Sequence, residues 1–231
     1  MPSEAMAQRL QQTLQEIEAA ARKAGRRSEE IRLIAVSKLH SPQAVDALAR
    51  AGHRDFGENY VQEALDKQKQ VLHQDLNWHF IGRIQTNKAK YLPGKFHLVH
   101  TIDSEKLALA LDKRCQNEGL DQAVLLQVNL AEEEQKGGIQ GEETVRLAES
   151  VVSSKRLLLS GLMCMPPFFD HPERSRPYFA ALRSLKEELE SRLGVHLPHL
   201  SMGMSNDYLQ AIEEGATLLR VGTKIFGERP Y

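Results

Sequence analysis

Eight short apolar runs, separated by segments with a helical repeat, are the feature that most constrains how this chain of 231 residues folds. Each run has the length of a buried strand. Most of the intervening segments place apolar residues three or four positions apart, as an amphipathic helix does. The predicted strands span residues 31–38, 53–58, 77–82, 96–102, 123–130, 157–164, 199–203 and 218–225. This alternation indicates a parallel sheet covered by helices.

Eight strand–helix units predict an α/β protein that forms a single closed (β/α)8 TIM barrel, because closure leaves no sheet edge exposed. An open doubly wound sheet has a similar pattern, but the glycine-rich turn of dinucleotide-binding folds does not follow the first strand. Since no low-complexity linker divides the sequence, we expect residues 1–231 to form one domain. An extra N-terminal helix is predicted by one apolar stripe, which consists of Met6, Leu10, Leu14, Ile17 and Ala21.

The composition argues against several classes of function. A formal net charge of −1 with 26% charged residues gives no support for a nucleic-acid or membrane partner. The two cysteines, Cys115 and Cys164, are far apart and form no CxxC pair, so neither a disulfide framework nor a metal site is expected. The N-terminus lacks the apolar core of a signal peptide. We therefore expect a cytoplasmic protein.

Lys38 stands at the end of the first predicted strand. Active sites of (β/α)8 barrels collect at the carboxyl ends of the strands, so this lysine would lie at the barrel mouth. Partial desolvation there would favour the neutral amine, which is a nucleophile for an aldehyde. The alternative is an ordinary solvated lysine at a strand end.

Two segments near the C-terminus have features of a phosphate site. At the eighth strand, Gly222 allows close approach of a ligand to the backbone, and Thr223 adds a hydroxyl. After the seventh strand, Ser205 or Asn206 is placed to cap a helix, whose N-terminus attracts anions. Loops after strands seven and eight commonly bind phosphate in this fold. The alternatives are a simple turn glycine and a cap without a ligand.

Three further residues are candidates on the inner face of the barrel. Arg220 precedes Gly222 by two positions, so the two share a strand face, and an inward arginine needs an acceptor. That acceptor is either the carboxylate of Glu58 or a pyridine nitrogen. His79 is more typical of a hydrogen-bonded core histidine than of a catalytic base. Asn59 follows the second strand, where it caps the next helix or touches a ligand.

Taken in order, five motifs resemble those of the pyridoxal phosphate homeostasis proteins, whose barrel is related to the N-terminal domain of bacterial alanine racemase. The motifs are Ala35-Val36-Ser37-Lys38, Phe56-Gly57-Glu58-Asn59, Trp78-His79-Phe80-Ile81-Gly82 with Gln85, Asn87 and Lys88, Ser201-Met202-Gly203-Met204-Ser205, and Arg220-Val221-Gly222-Thr223 with Phe226-Gly227. The sequence departs from the family pattern at Leu39-His40 and at Lys136-Gly137-Gly138, which leaves secondary cofactor contacts of those loops open.

The resemblance implies a protein that carries and buffers pyridoxal 5′-phosphate (PLP) in vitamin B6 homeostasis, with no established catalytic reaction. Lys38 would form a Schiff base with PLP, and Arg220 would face its pyridine nitrogen. The other implied cofactor-binding residues are Asn59 near the cofactor, Ser205, Gly222 and Thr223 at the phosphate, and Ser201 as their neighbour. PLP-dependent apoenzymes would be the recipients, and a monomer suffices for this role.

Two other functions compete with this one. The first is a minimal PLP-dependent amino-acid racemase or lyase. Racemases of this type add a C-terminal β-domain and use a tyrosine of the partner subunit, whereas this sequence ends at Tyr231, so efficient turnover is not expected. The second is a barrel that binds a different phosphorylated metabolite, with Lys38 as a counter-charge to the phosphate.

Overall fold

The computed structural model describes residues 2–131 and 137–227 of the chain. Eight parallel strands close into one barrel, in which each strand pairs with the next and β8 pairs with β1. The strands are β1 (Arg32–Val36), β2 (Asp55–Glu58), β3 (Asn77–Phe80), β4 (Leu98–Ile102), β5 (Gln122–Val128), β6 (Leu157–Cys164), β7 (His199–Ser201) and β8 (Leu218–Val221). The predicted TIM barrel is confirmed.

Helices follow most of the strands on the outside of the barrel. They are α1 (Pro2–Lys23), α2 (Pro42–Arg50), α3 (Val61–Gln70), α4 (Glu105–Glu118), α5 (Gly141–Val152), α6 (Arg176–Leu193), α7 (Tyr208–Glu213) and α8 (Thr223–Phe226). The predicted N-terminal helix is present as α1, which packs against α2, α7 and α8. Within the described parts of the chain, the helices include none that is long and apolar enough to cross a bilayer.

Some predicted boundaries are wrong for identifiable reasons. Strand 218–225 ends at Val221, because Gly222 breaks it and the apolar residues beyond it belong to α8. Neither Ser205 nor Asn206 caps a helix, since α7 begins at Tyr208 with Asp207 as its N-cap residue. Between β3 and β4 the chain forms a 3-10 helix, Thr86–Tyr91.

An apolar stripe of Val61, Leu65 and Leu72 predicts the helix after β2. Leu72, however, lies beyond the end of α3 and is 78% exposed. Lys67 is buried on this helix together with Ala64. A charged side chain therefore takes a core-facing position there, which the apolar pattern does not reveal.

The barrel interior holds only a small apolar layer. Five buried residues form it, and they are Ile34, Leu98, Leu125, Met163 and Leu218. The much larger apolar cluster includes residues of both strands and helices and fills the space between the barrel wall and its helical cover. Because side chains alternate between strand faces, residues two positions from the inner layer also point inward. That rule places Arg220 of β8 and His100 of β4 inside the barrel, where both are buried.

Candidate functional site

Lys38 lies in a turn just beyond β1. The strand ends at Val36, two residues earlier than the predicted limit, and the backbone N–H of His40 donates to the carbonyl oxygen of Ser37 at 3.1 Å. Lys38 is partly exposed in this turn. The next residue, Leu39, has a φ of 64°, and among the described residues it alone combines a side chain larger than hydrogen with a positive φ. The turn that carries Lys38 is thus held in a conformation that costs about 1 kcal/mol or more.

A buried ionic cluster holds this turn. The Nζ atom of Lys67 donates to the Ser37 carbonyl at 2.7 Å, to Glu58 Oε1 at 2.6 Å and to Glu63 Oε1 at 2.9 Å. Glu63 also accepts from the backbone N–H of Leu39 at 2.6 Å. Burial raises the pKa of the Glu58 carboxyl, although Lys67 and Ser37 act in the opposite direction. Sequence reasoning missed this cluster, whose one visible signal is the Glu63–Lys67 spacing of four on a helix.

Ser205, Gly222 and Thr223 come together as predicted. The Gly222 backbone N–H donates to Ser205 Oγ at 3.3 Å, and the Thr223 hydroxyl lies 3.3 Å from the same atom. Both contacts are long, so the groups can turn toward another acceptor. The φ of Gly222 is −117°, and a Cβ there would meet Val36 at 3.4 Å, an ordinary contact. Since the protein itself does not require glycine here, the open space fits close approach of a ligand.

The same cluster lies beside the strand that leads to Lys38. β1 and β8 are hydrogen-bonded neighbours with Ala35 opposite Val221. Their carboxyl ends therefore meet at one edge of the barrel, where Gly222 packs against Val36. The lysine turn and the hydroxyl cluster are adjacent segments of one barrel mouth.

Arg220 lies inside the barrel below this mouth and is 4% exposed. Its Nη1 donates to Ser201 Oγ at 2.6 Å, and its Nη2 donates to the Cys164 carbonyl oxygen at 2.9 Å. Burial lowers the pKa of Arg220, but a guanidinium stays charged at any physiological pH. The side chain is therefore a buried cation whose hydrogen-bond partners within the described residues are neutral.

The alternative that Glu58 is the acceptor for Arg220 is wrong. Glu58 shares a strand face with Phe56, which belongs to the outer apolar cluster. Its carboxylate accordingly faces α3 and pairs with Lys67 at 2.6 Å. Arg220 shares the opposite, inner face with Leu218, so the barrel wall separates the two charges.

Ser201 is placed apart from the other predicted phosphate residues. It is fully buried, and its Oγ is bonded to Arg220 and, at 2.8 Å, to His100 Nδ1. His100 Nε2 in turn lies 3.0 Å from His79 Nδ1, and His79 Nε2 lies 3.1 Å from Asp55 Oδ1. The expectation that His79 is a hydrogen-bonded core histidine is confirmed. His100 and Asp55 were not singled out from the sequence.

Asn59 follows β2 at the same end of the barrel. Its Oδ1 atom is buried without a hydrogen-bond partner among the described residues. A Cβ on Gly82 would overlap the Asn59 carbonyl, so this glycine is required for the loops after β2 and β3 to touch. A buried acceptor without a donor is rare in folded proteins, and it fits a site completed by a ligand.

A cavity of about 370 Å³ opens beside Asn59. The residues lining it include Tyr60, Arg83, Gln85, Lys88 and Tyr91. Of the two sequence departures, Leu39-His40 belongs to the Lys38 turn, where the His40 ring stacks on Phe226 with centroids 4.5 Å apart. Lys136 and Tyr231 lie outside the described residues.

Comparison with known proteins supports the resemblance. A family model described as "Alanine racemase, N-terminal domain" matches residues 10–230. The pyridoxal phosphate homeostasis protein of Aquifex aeolicus is 45% identical over 224 residues, covering 97% of this chain and 98% of that protein. Its namesake in Pseudomonas aeruginosa is 44% identical over 216 residues, covering 93% and 92%.

A solved structure gives the same result. PipY of Synechococcus elongatus, in a structure with PLP bound, superposes with a TM-score of 0.84 at 34% identity. The match covers 96% of this chain and 100% of PipY.

Proposed function

This chain belongs to the family of pyridoxal phosphate homeostasis proteins, and from that premise we propose that it binds PLP at the carboxyl end of its barrel, where it carries and buffers the cofactor. The observation that carries the proposal is the meeting of three elements at one mouth. They are the Lys38 turn, the Ser205–Gly222–Thr223 cluster and the buried cation Arg220 below them.

The residues present fit the chemical groups of PLP. When bound, PLP supplies an aldehyde that reacts reversibly with an amine, a phosphate dianion and a pyridine nitrogen that accepts a hydrogen bond. Ser205 and Thr223 can donate hydroxyl groups to the phosphate, and Gly222 can donate its backbone N–H. Lys38, partly exposed in the turn beside them, supplies the amine. The unpartnered Oδ1 of Asn59 leaves a place for a donor at the same mouth.

Arg220 limits what the site can do after binding. A guanidinium donates hydrogen bonds and accepts none, so a pyridine nitrogen facing it stays unprotonated. An unprotonated pyridine ring is a weaker electron sink than the protonated ring of many PLP enzymes. Arg220 therefore favours holding the cofactor over stabilising a carbanion.

His79 and the Cys164 thiol are not available as an acid or base for catalysis. Both ring nitrogens of His79 are bonded, one to His100 and the other to Asp55. Burial raises the pKa of the Cys164 thiol to about 12, so it is not a thiolate at neutral pH. These contacts support a carrier without efficient amino-acid turnover. Delivery to PLP-dependent apoenzymes, a cytoplasmic location, a monomeric state and a single domain over residues 1–231 stay predictions from the sequence.

The test is covalent labelling of the purified protein mixed with PLP. We expect a visible absorption band that borohydride reduction removes, and a pyridoxyl mass on the peptide that contains Lys38. Lys38→Ala should abolish the band. Lys95→Ala is the matched control, because Lys95 is exposed just before β4, at the opposite end of the barrel, and should leave the band unchanged.

Two outcomes would contradict the proposal. A pyridoxyl group on another lysine would move the site away from this mouth. Absence of any band or adduct, combined with binding of other phosphorylated compounds, would favour the alternative in which Lys38 is only a counter-charge. Turnover of amino acids by the loaded protein at ordinary enzyme rates, about 10 per second, would overturn the assignment as a carrier.

A further inference from the structure

A continuous chain of hydrogen bonds crosses the barrel interior, from the site to the opposite end. It begins at Arg220, near the carboxyl ends of the strands, and ends at Asp55 and Arg32, the first residues of β2 and β1. In order, its members are Arg220, Ser201, His100, His79, Asp55 and Arg32, joined by contacts of 2.6, 2.8, 3.0, 3.1 and 3.4 Å. Six different strands contribute to it.

The direction of every bond is fixed from the Arg220 end. Arg220 can only donate, so Ser201 Oγ must accept from it. The Ser201 hydroxyl hydrogen then points to its other neighbour, His100 Nδ1, at 2.8 Å. An imidazole nitrogen that accepts carries no proton, which leaves the proton of a neutral His100 on Nε2.

The same logic runs through the second histidine. The Nε2–H of His100 donates to His79 Nδ1, so His79 carries its own proton on Nε2 and donates it to Asp55. Asp55 Oδ1 also receives Arg32 at 3.4 Å and Asn77 Nδ2 at 3.2 Å. Burial disfavours the charged form of Asp55, but His79 and Arg32 hold the pKa of its carboxyl below the ordinary value. Because Arg220 only donates and the Asp55 carboxylate only accepts, all the hydrogen bonds between them point in one direction, from Arg220 toward Asp55.

Electrostatics keeps both imidazoles neutral. Burial lowers the pKa of His79 and lowers that of His100 well below the ordinary value. The Asp55 carboxylate raises the pKa of His79, but burial, His97 and Arg32 outweigh it. His100 faces His79, Arg220 and His199, so an added proton on its ring would lie among other cationic or protonatable groups. A polarised chain of neutral rings between the two arginines avoids that repulsion.

We propose that Ser201, His100 and His79 are positioning residues for Arg220: the chain anchored at Asp55 turns the lone pairs of Ser201 toward the guanidinium and fixes its direction. The inference rests on the proposed function in one respect, namely that the group Arg220 faces is the pyridine nitrogen of PLP. In this view Ser201 acts through Arg220 and does not touch the phosphate.

The first test needs no cofactor. Long-range ¹H–¹⁵N spectra of the protein without PLP report which imidazole nitrogen carries the proton. We expect the Nε2–H form for both His79 and His100 across pH 6 to 8, with assignment from His79→Gln and His100→Gln. An Nδ1–H ring or an imidazolium at either position would contradict the proposed direction of the hydrogen bonds, whether or not PLP binds.

The second test measures the effect on PLP. Ser201→Ala leaves the buried cation without one acceptor, and we expect PLP to bind about tenfold more weakly or worse, with a shifted absorption maximum. The matched control is Thr144→Val, which removes an equally buried hydroxyl that has no partner in the described structure. That control should leave both the affinity and the band unchanged.

His100 separates a positioning role from simple packing. His100→Leu keeps bulk but cannot accept from Ser201, so it should shift the band as Ser201→Ala does. In His100→Gln an amide oxygen can accept from Ser201 while the amide nitrogen donates to His79, so the wild-type band should return. Wild-type spectra in Ser201→Ala, or equal losses in His100→Gln and His100→Leu, would refute the proposal. A wild-type protein that forms no adduct would instead refute the proposed function, and the tautomer spectra would still decide the chain.

Discussion

Replacing Lys67 by methionine should test the buried cluster that holds the Lys38 turn. Lys67 is 4% exposed, and its partner Glu58 is fully buried. Lys67→Met preserves the apolar stem but leaves the Glu58 carboxylate without its cation. Breaking a buried pair in this way costs about 3–5 kcal/mol. For a chain of this length, that corresponds to a fall in melting temperature of roughly 10 °C.

The loss should depend on pH in a direction set by Glu58. Burial raises the pKa of its carboxyl in the folded protein, and removing Lys67 should raise it further. A carboxyl with a raised pKa in the folded state stabilises the fold when protonated, and this contribution is lost as pH rises through that pKa. The free energy of unfolding of Lys67→Met should therefore recover as pH falls from neutral toward the ordinary glutamate pKa of about 4.3.

Urea unfolding measures these changes, and two variants serve as controls. Lys69→Met lies on the same helix but breaks only an exposed pair with Asp66, at 3.2 Å, so it should cost less than about 0.5 kcal/mol. Glu58→Gln combined with Lys67→Met removes both charges and should be less destabilised than Lys67→Met alone. If Lys67→Met loses no more than Lys69→Met at pH 7, the cluster does not stabilise the turn.

Three further predictions concern single features of the site and the barrel. Leu39→Gly should raise the free energy of unfolding by about 1 kcal/mol in urea, because it relieves the φ of 64° at a half-exposed side chain; destabilisation would show that the leucine packing matters more. Ser205→Ala with Thr223→Val should weaken PLP binding by about tenfold or more while the Lys38 adduct still forms at high PLP concentration, and an unchanged titration would exclude these hydroxyls as phosphate donors. Burial lowers the pKa of His199 to about 4, so its ring should stay neutral in NMR titrations down to about that pH. Neutral His199 stabilises the folded protein above the unfolded-state pKa of about 6.5. This contribution should be lost as pH falls from about 6.5 to about 4.

The barrel was predictable because its main determinants are local. Alternation along β3 places Trp78 and Phe80 in the outer cluster and His79 inside, as the period of two requires. The predicted eighth strand, 218–225, extends past the observed end of β8 at Val221 for a local reason as well. Ile225 and Phe226 are buried and apolar, and an apolar run does not distinguish a strand from a single helical turn.

The partner of Arg220 was the harder question. The sequence indicates that an inward arginine needs an acceptor, and Glu58 is a carboxylate at the end of a strand. The period of two along β2 argues against that pairing, because Glu58 shares the outward face of Phe56. Lys67 is the observed partner of Glu58. The sequence did not predict this pair, because a lysine on a helix normally faces solvent.

The chain between Arg220 and Asp55 could not be read from the sequence, because it depends on the stagger between strands. His100 and Ser201 are 101 residues apart and belong to β4 and β7, which are not neighbours in the sheet. Their side chains meet only because the closed barrel brings inward residues of non-adjacent strands to the same height. Period-two patterning assigns each of these residues to the inner face, but the height at which it lies depends on the register of all eight strand pairs. Those registers include irregularities between β4 and β5 and between β5 and β6, and a shift of one residue would carry His100 away from Ser201. Inward-facing polar residues are thus predictable one strand at a time, whereas their hydrogen bonds are a property of the closed barrel.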